Sequence, residues 1–398
     1  MTAPTTLRGH LVRAEADPAG LADEAYADLL AADGDELEAL CALADALRRD
    51  TVGEQLTFVA NRNIDTPVAA DPVRAGALVD EAWALGATEV CVQGPLPADL
   101  PGRAALDLVA HLTGRAPLHL HAFRPAEVAD AAGRLGLSPR EFLTAAREAG
   151  LGSVPGTAAR ILDDGVRSLL TGGRDIPAAR WVELVTTAHE VGLRSTATMV
   201  YGHVETAAEQ VAHLRALAAI QDRTGGFTEF IPMPILPEAL PADGGGRRLR
   251  PGPDARETRA LYAVARLLLH GRIDHVQAAW PKLGPGLTTA VLRGGADDAG
   301  GLLLDGALDP AAGAEAGRQL TLDDVERLAA DLGRTPRQRT TVYGDPPPER
   351  SAVLRETQRS GARPVERETQ RSGARPVERE TQRSGARPAG VGEGGARA

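Results

Sequence analysis

Short apolar runs alternate along this chain with longer stretches whose apolar positions recur every three to four residues. Thr57 to Asn61, Thr88 to Gln93, Leu118 to Phe123 and Gly152 to Pro155 read as strands, as do Ser195 to Tyr201, Phe227 to Pro232, His275 to Trp280 and Gly301 to Leu304. Helical periods lie between them. Trp181, Leu184, Val185, Ala188 and Val191 share one face, with Pro177 at the start and Gly192 at the end. Eight strand–helix units predict an α/β fold, a (β/α)8 TIM-type barrel; a doubly wound open sheet is the alternative. Ahead of the first strand, Leu37, Leu40, Cys41, Ala44 and Leu47 mark an amphipathic helix with Asp35 as its expected N-cap, placed to plug or cover the barrel.

A perfect repeat changes the picture at the C-terminus. RETQRSGARPVE begins at Arg355 and again at Arg367, and a third copy starts at Arg379 before diverging at Ala389; the period is 12, and valine is the only large apolar side chain the repeat offers. Such a segment buries too little to offset its ordering entropy, so disorder is expected, with a basic docking arm as the alternative. The expected division is a helical extension over 1–54, a barrel over 55–344 and a disordered tail over 345–398. Charge follows the same division: residues 1–344 carry 33 basic and 46 acidic side chains, the tail 11 Arg against 8 acidic residues. An acidic body speaks against a dedicated nucleic-acid surface. The chain offers no apolar run to cross a bilayer and no signal region at its start, and two cysteines support no disulfide framework, so a reduced cytoplasmic setting is expected.

Active sites of such barrels lie at the C-terminal ends of the strands. The polar residues placed there are Asn61, Asn63, Gln93, His119, His121, Tyr201, His203, Glu229, Gln277, Asp297 and Asp298. Polar groups ending apolar strands must bond one another or meet a ligand, because an unpaired buried donor or acceptor costs about 1–3 kcal/mol. Each member alone is equally readable as a satisfied core or rim residue. His119 and His121, two apart, share a strand face; a metal is one reading, a structural or substrate-bonding role the other. No nucleophile elbow, phosphate loop or His-Glu-x-x-His occurs.

Longer strings carry a resemblance. ADGDELEALCALADALRRDTVG, TFVANRNI, GATEVCVQG, HAFRPAEV, PGTAARILDD, VTTAHEVGLRSTATMVYGHVET, QDRTGGFTEF, LLHGRIDHVQ and PRQRTTVYG, in order over residues 8–344, resemble the tyrosine-condensing half of FO synthase. That family, whose separate subunit is called CofH, belongs to the radical S-adenosylmethionine enzymes. The resemblance implies a radical SAM barrel that joins the 4-hydroxybenzyl group of tyrosine to 5-amino-6-(D-ribitylamino)uracil on the way to the deazaflavin coenzyme. It also implies a [4Fe-4S] cluster, S-adenosyl-L-methionine, and other deazaflavin-synthesis proteins as partners.

The departures from the family gather at the cofactor. Its C-x3-C-x2-C loop should follow the first strand, yet this chain runs from Asn63 through Ile64 to Pro72 into a helix over Val73 to Leu85, and its cysteines are Cys41 and Cys91 alone. The family's Gly-Gly after the second strand reads Gly94-Pro95, and PGTAAEIL puts Arg160 where the family has a carboxylate. VPLPFVH becomes Ile231 to Pro237, losing its histidine, and GANDLGG becomes Gly295 to Gly301. Lys282, the single lysine, stands in the family's W-V-K-L-G string; it reads as a contact for a carboxylate or ribityl chain, or as a solvated lysine kept by descent. No bound cofactor is therefore expected. A cluster-less, catalytically degenerate paralogue is the leading expectation, beside a non-enzymatic ligand-binding, scaffold or regulatory barrel and an active transferase.

Overall fold

A computed structural model describes residues 6–304 and 319–360 of the chain. Three helices come first: α1 (Leu7–Ala16), α2 (Asp23–Leu30) and α3 (Gly34–Val52). Leu37, Leu40, Cys41 and Ala44 are buried on α3 as their spacing requires. The cap is Asp33, two residues earlier than expected: its carboxylate accepts from Gly34 N, leaving Asp35 in the first turn beside the positive end of the helix dipole.

The barrel opens with β1 (Gln55–Val59) and β2 (Asn61–Asp65), two halves of one strand with Ala60 between them. The short α4 (Thr66–Ala69) and α5 (Pro72–Ala84) follow, then β3 (Glu89–Gln93), α6 (Ala104–Thr113) and β4 (His119–Ala122). Next come α7 (Pro125–Leu135), α8 (Pro139–Glu148), β5 (Ser153–Val154), α9 (Asp164–Thr171) and α10 (Ala178–Glu190). The second half holds β6 (Arg194–Tyr201), α11 (Ala207–Thr224), β7 (Phe227–Pro234), α12 (Ala255–Leu268), α13 (Trp280–Leu292) and β8 (Asp298–Gly301). Last are α14 (Leu322–Leu332), β9 (Thr335–Arg339) and α15 (Pro348–Arg359).

Parallel pairing runs from β2 through β3, β4, β5 and β6 to β7. Single bridges Phe230–Val276 and Gln277–Asp298 carry it through the seventh segment to β8, and β8 pairs with β1. The ring therefore closes, and the (β/α)8 expectation holds. Helix α10 shows why these residues choose the outer layer: Trp181, Leu184, Val185 and Ala188 are all buried on one stripe, each large side chain contributing about 1.5–3 kcal/mol of transfer free energy. The helical extension does not enter the lumen. Helix α3 lies along α12, α2 packs on α11 and α12, and Asp45 meets Arg334 where that guanidinium bonds Leu292 O and Ala296 O at the N-terminal rim.

Three placements correct the expectations. The eighth strand is Asp298–Gly301, three residues before Gly301 to Leu304, because Asp298 supplies the bridge to Gln277. Strand β9 was hidden by its polar sequence, TPRQR; it pairs with the whole of β1. Helix α15 lies inside the segment expected to lack structure. Its Leu354, just ahead of the first repeat, is buried, Arg350 lies over the Trp83 ring with 3.4 Å to the centroid, and Thr357 donates to Leu85 O at 3.1 Å. The remaining repeats lie outside the described residues. Among the described residues no helix is long and apolar enough to cross a membrane.

Candidate active site

Register decides which side chains face the lumen. Asn63 lies opposite Cys91 and Cys91 opposite His121; Glu89 lies opposite His119, and His121 opposite Ser153. With a period of two, Asn61, Asn63, Glu89, Cys91, Gln93, His119, His121 and Ser153 share one face. Ser153 pairs with Arg194, so the even-numbered residues of β6 continue that face and Tyr201 falls on the other. Its hydroxyl donates to Thr258 Oγ1 of α12 at 3.3 Å, in the helix layer. His203 is also withdrawn: its ring is fully buried in the loop after β6, braced by Val200 O, Val204 N and Glu205. Asp297 turns outward to Arg266 and His275, each 2.7 Å away.

The floor of the lumen is ionic. Arg339, from β9, bonds both carboxylate oxygens of Asp298, Nε to Oδ2 at 2.5 Å and Nη2 to Oδ1 at 2.9 Å, and reaches Glu229 at 3.1 Å. Asp298 also accepts from Thr57 Oγ1 at 2.5 Å. After β9 the backbone turns through a left-handed Tyr343 (φ 63°), whose ring stacks on His275 with centroids 3.5 Å apart and whose hydroxyl donates to Glu229 at 2.7 Å. Burial raises the Glu229 carboxyl, the Arg339 charge offsetting only part of it; burial likewise raises the Tyr343 hydroxyl. Thr341 Oγ1 donates to Glu89, closing the floor on the β3 side.

Above it, Ser153 Oγ lies 2.7 Å from His119 Nε2 and 2.6 Å from His121 Nδ1. One hydroxyl hydrogen can serve only one imidazole, so the other ring donates its own N–H. Burial holds both neutral, His119 lowered and His121 down to about 4. This pair is satisfied by a hydroxyl, which favours the hydrogen-bonding reading over a metal. Gly301 leaves room for Asn61, since a Cβ there would stand 2.3 Å from its Oδ1, and Gly300 does the same for Gln277 at 2.6 Å. Asn61 accepts from Leu303 N at 3.1 Å and Gln93 Nε2 reaches Cys91 Sγ at 3.4 Å. Lys282 sits in the first turn of α13, half-buried.

The structure thus brings Asn61, Asn63, Gln93, His119, His121, Glu229, Gln277 and Asp298 to one lumen and leaves Tyr201 and His203 out of it. Sequence reading missed Arg339, Tyr343, Thr57 and Ser153. PRQRTTVYG held the signal for the first two: a run rich in polar and charged residues that still ends in alternating side chains.

A cluster held in the family's manner needs three thiolates close together. Cys41 is buried on α3 against Gly294, Cys91 is buried in β3, and the segment after β2 that forms α4 contains no cysteine. Two thiols on separate elements do not fit the group.

No family model matches the chain. It is 47% identical over 361 residues to FO synthase of Mycobacterium leprae, covering 85% of this chain and 42% of that one, and 44% identical over 375 residues to FO synthase of Streptomyces coelicolor. The chain spans about two-fifths of the length of these relatives. It is 38% identical over 322 residues to 5-amino-6-(D-ribitylamino)uracil–L-tyrosine 4-hydroxyphenyl transferase 1 of Methanosarcina barkeri, covering 75% of this chain and 85% of that protein. Among solved structures, methylornithine synthase superposes with a TM-score of 0.60 at 16% identity, covering 82% of this chain and 97% of that one. The [FeFe]-hydrogenase maturase HydG gives 0.61 at 12% identity, covering 90% of each. The fold is the barrel that these two enzymes share, and the chain belongs to the FO synthase family.

Proposed function

We propose that this chain is a cluster-less member of the family: a barrel that keeps a polar ligand cup but does not generate an adenosyl radical. The observation that carries this reading is the thiol set, two buried cysteines on α3 and β3 where the chemistry requires three together. The cup itself is polar and hydrogen-bonded. Carboxamides at Asn61, Asn63, Gln93 and Gln277 offer donors and acceptors together, which suits the imide and amine edge of a ribitylaminouracil; Lys282 and the His119–Ser153–His121 group suit a carboxylate or a hydroxylated chain. Such a protein serves deazaflavin synthesis by holding a pathway ligand, or a partner enzyme, without turning it over. Kinship with the archaeal transferase favours one other reading, an active transferase whose cluster ligands come from elsewhere.

Thermal shift with 5-amino-6-(D-ribitylamino)uracil, tyrosine and S-adenosylmethionine tests the cup, since a ligand selective for the native state stabilises by RT ln(1 + [L]/Kd). The aminouracil is expected to raise the melting temperature and Asn63→Ala to weaken the rise. A shift from S-adenosylmethionine alone would contradict the reading.

A further inference from the structure

The mouth of the barrel carries a feature that neither the resemblance nor the cup accounts for. A groove of about 450 Å³ opens over the C-terminal ends of β4 and β5, lined by Pro95, Arg124, Ala158, Arg160, Arg174 and Asp175 among others. Arg124 and Pro95 also line an adjoining groove with Pro67, Leu96, Pro97 and Arg134. Three guanidiniums therefore face one depression.

The carboxylates nearby neutralise only part of this positive charge. Asp175 is shared by Arg160 at 3.1 Å and the buried Arg167 at 3.3 Å, Glu127 pairs with Arg124, and Arg174 makes no ion pair among the described residues. The cradle is also held firmly. Ala158 and Arg160 keep left-handed backbones (φ 67° and 52°), pinned by Arg167, which donates to Ala158 O at 2.8 Å and Ala159 O at 2.7 Å, and by Val200 N, which donates to Arg160 O. Ala126, in the first turn of α7, brings the positive end of an 11-residue helix to the same wall. Planar guanidiniums lining one groove, with a helix N-terminus beside them, match the oxygens of a phosphoryl group, which they can bond two at a time.

We propose that this groove binds a phosphorylated small molecule, through Arg124, Arg160 and Arg174, at the mouth of the barrel. The inference rests on the reading that this mouth no longer serves the family's cofactor. Its test needs no iron, so its failure and the failure of that reading are told apart.

Isothermal titration of the full chain with inorganic phosphate, inorganic pyrophosphate and a nucleoside diphosphate, at low and at high salt, tests it. Saturable binding that weakens with salt is expected, with pyrophosphate tighter than phosphate. A nucleoside diphosphate tighter still would place its nucleoside in the adjoining groove; equal affinity would assign recognition to the phosphates alone. Arg160→Glu, which reverses the charge at that wall, should weaken binding at least tenfold. Arg174→Gln, which removes no ion pair among the described residues, should weaken it severalfold with an unchanged melting temperature, while Arg140→Ala on α8 should leave it intact. No saturable heat with any of the three, or wild-type affinity in both groove variants, would overturn the proposal.

Discussion

Arg339 and Asp298 meet as a two-pronged pair at the base of the lumen, guanidinium nitrogens 2.5 and 2.9 Å from the two carboxylate oxygens, although 41 positions separate them in the chain. Both are almost wholly buried, as is Glu229, the second carboxylate on the same guanidinium. A buried pair of this kind adds little over an apolar replacement, but removing one partner leaves an uncompensated charge.

Arg339→Met should therefore destabilise the chain by about 3–5 kcal/mol, read by urea unfolding. Its pH dependence identifies the cause. Without the cation the native Glu229 carboxyl rises further above its unfolded value, so the native state binds more protons than the unfolded one and the variant loses more stability at pH 8 than at pH 6. An equal loss at both would assign the damage to packing alone.

Three buried histidines give the native protein an acid-sensitive range. Burial depresses His121, His189 and His213 from 6.5 to about 4. The unfolded chain takes up these protons first as pH falls. Their contribution is whole above about 6.5 and is lost progressively towards 4, on the order of 3 kcal/mol for each fully titrated group. Melting temperatures should fall from pH 6.5 to 4.5, the three histidines together outweighing the opposite effect of the raised Glu229 carboxyl. His213 spans Leu162 N and Thr198 O, so His213→Gln should start less stable but show a shallower slope. A flat profile in the wild type would contradict this account.

Helix α15 is held by one side chain above the others. Leu354→Ala should cost about 2–5 kcal/mol of local packing and expose Arg350, Arg355 and Arg359 to trypsin. Gly86→Ala should do the same from the other side, because its Cβ would stand 2.6 Å from Leu354 Cα in a backbone at φ 91°. Unchanged cleavage in both would mean that the helix is fixed elsewhere.

These elements show where sequence reading succeeds. Periodicity located the strands and outer helices because apolar faces must be buried, as Trp181 and its neighbours are. It failed at β9, where Arg339 is stabilised by partners distant in sequence rather than by an apolar pattern. The repeat hid α15 for a similar reason: Leu354 precedes the first copy, and its burial depends on a surface offered by Gly86 and Trp83. Half the site logic was legible too. Strand alternation gave His119 and His121 a common face and strand-end position picked out Asn61 and Asn63, but the same strand-end rule wrongly included Tyr201, which register places one step out of phase. Arg339 and Tyr343 reach the lumen from outside the eight-strand ring, which no strand-end rule anticipates.

A barrel with two separated, buried thiols should not hold the family's cluster, and anaerobic reconstitution with iron and sulfide measures this most directly. Desalted protein should carry iron and acid-labile sulfide at far below one equivalent per chain, with no change when Cys91→Ala is introduced. Stoichiometric iron and sulfide with a four-iron cluster spectrum, lost in a cysteine variant, would contradict the account.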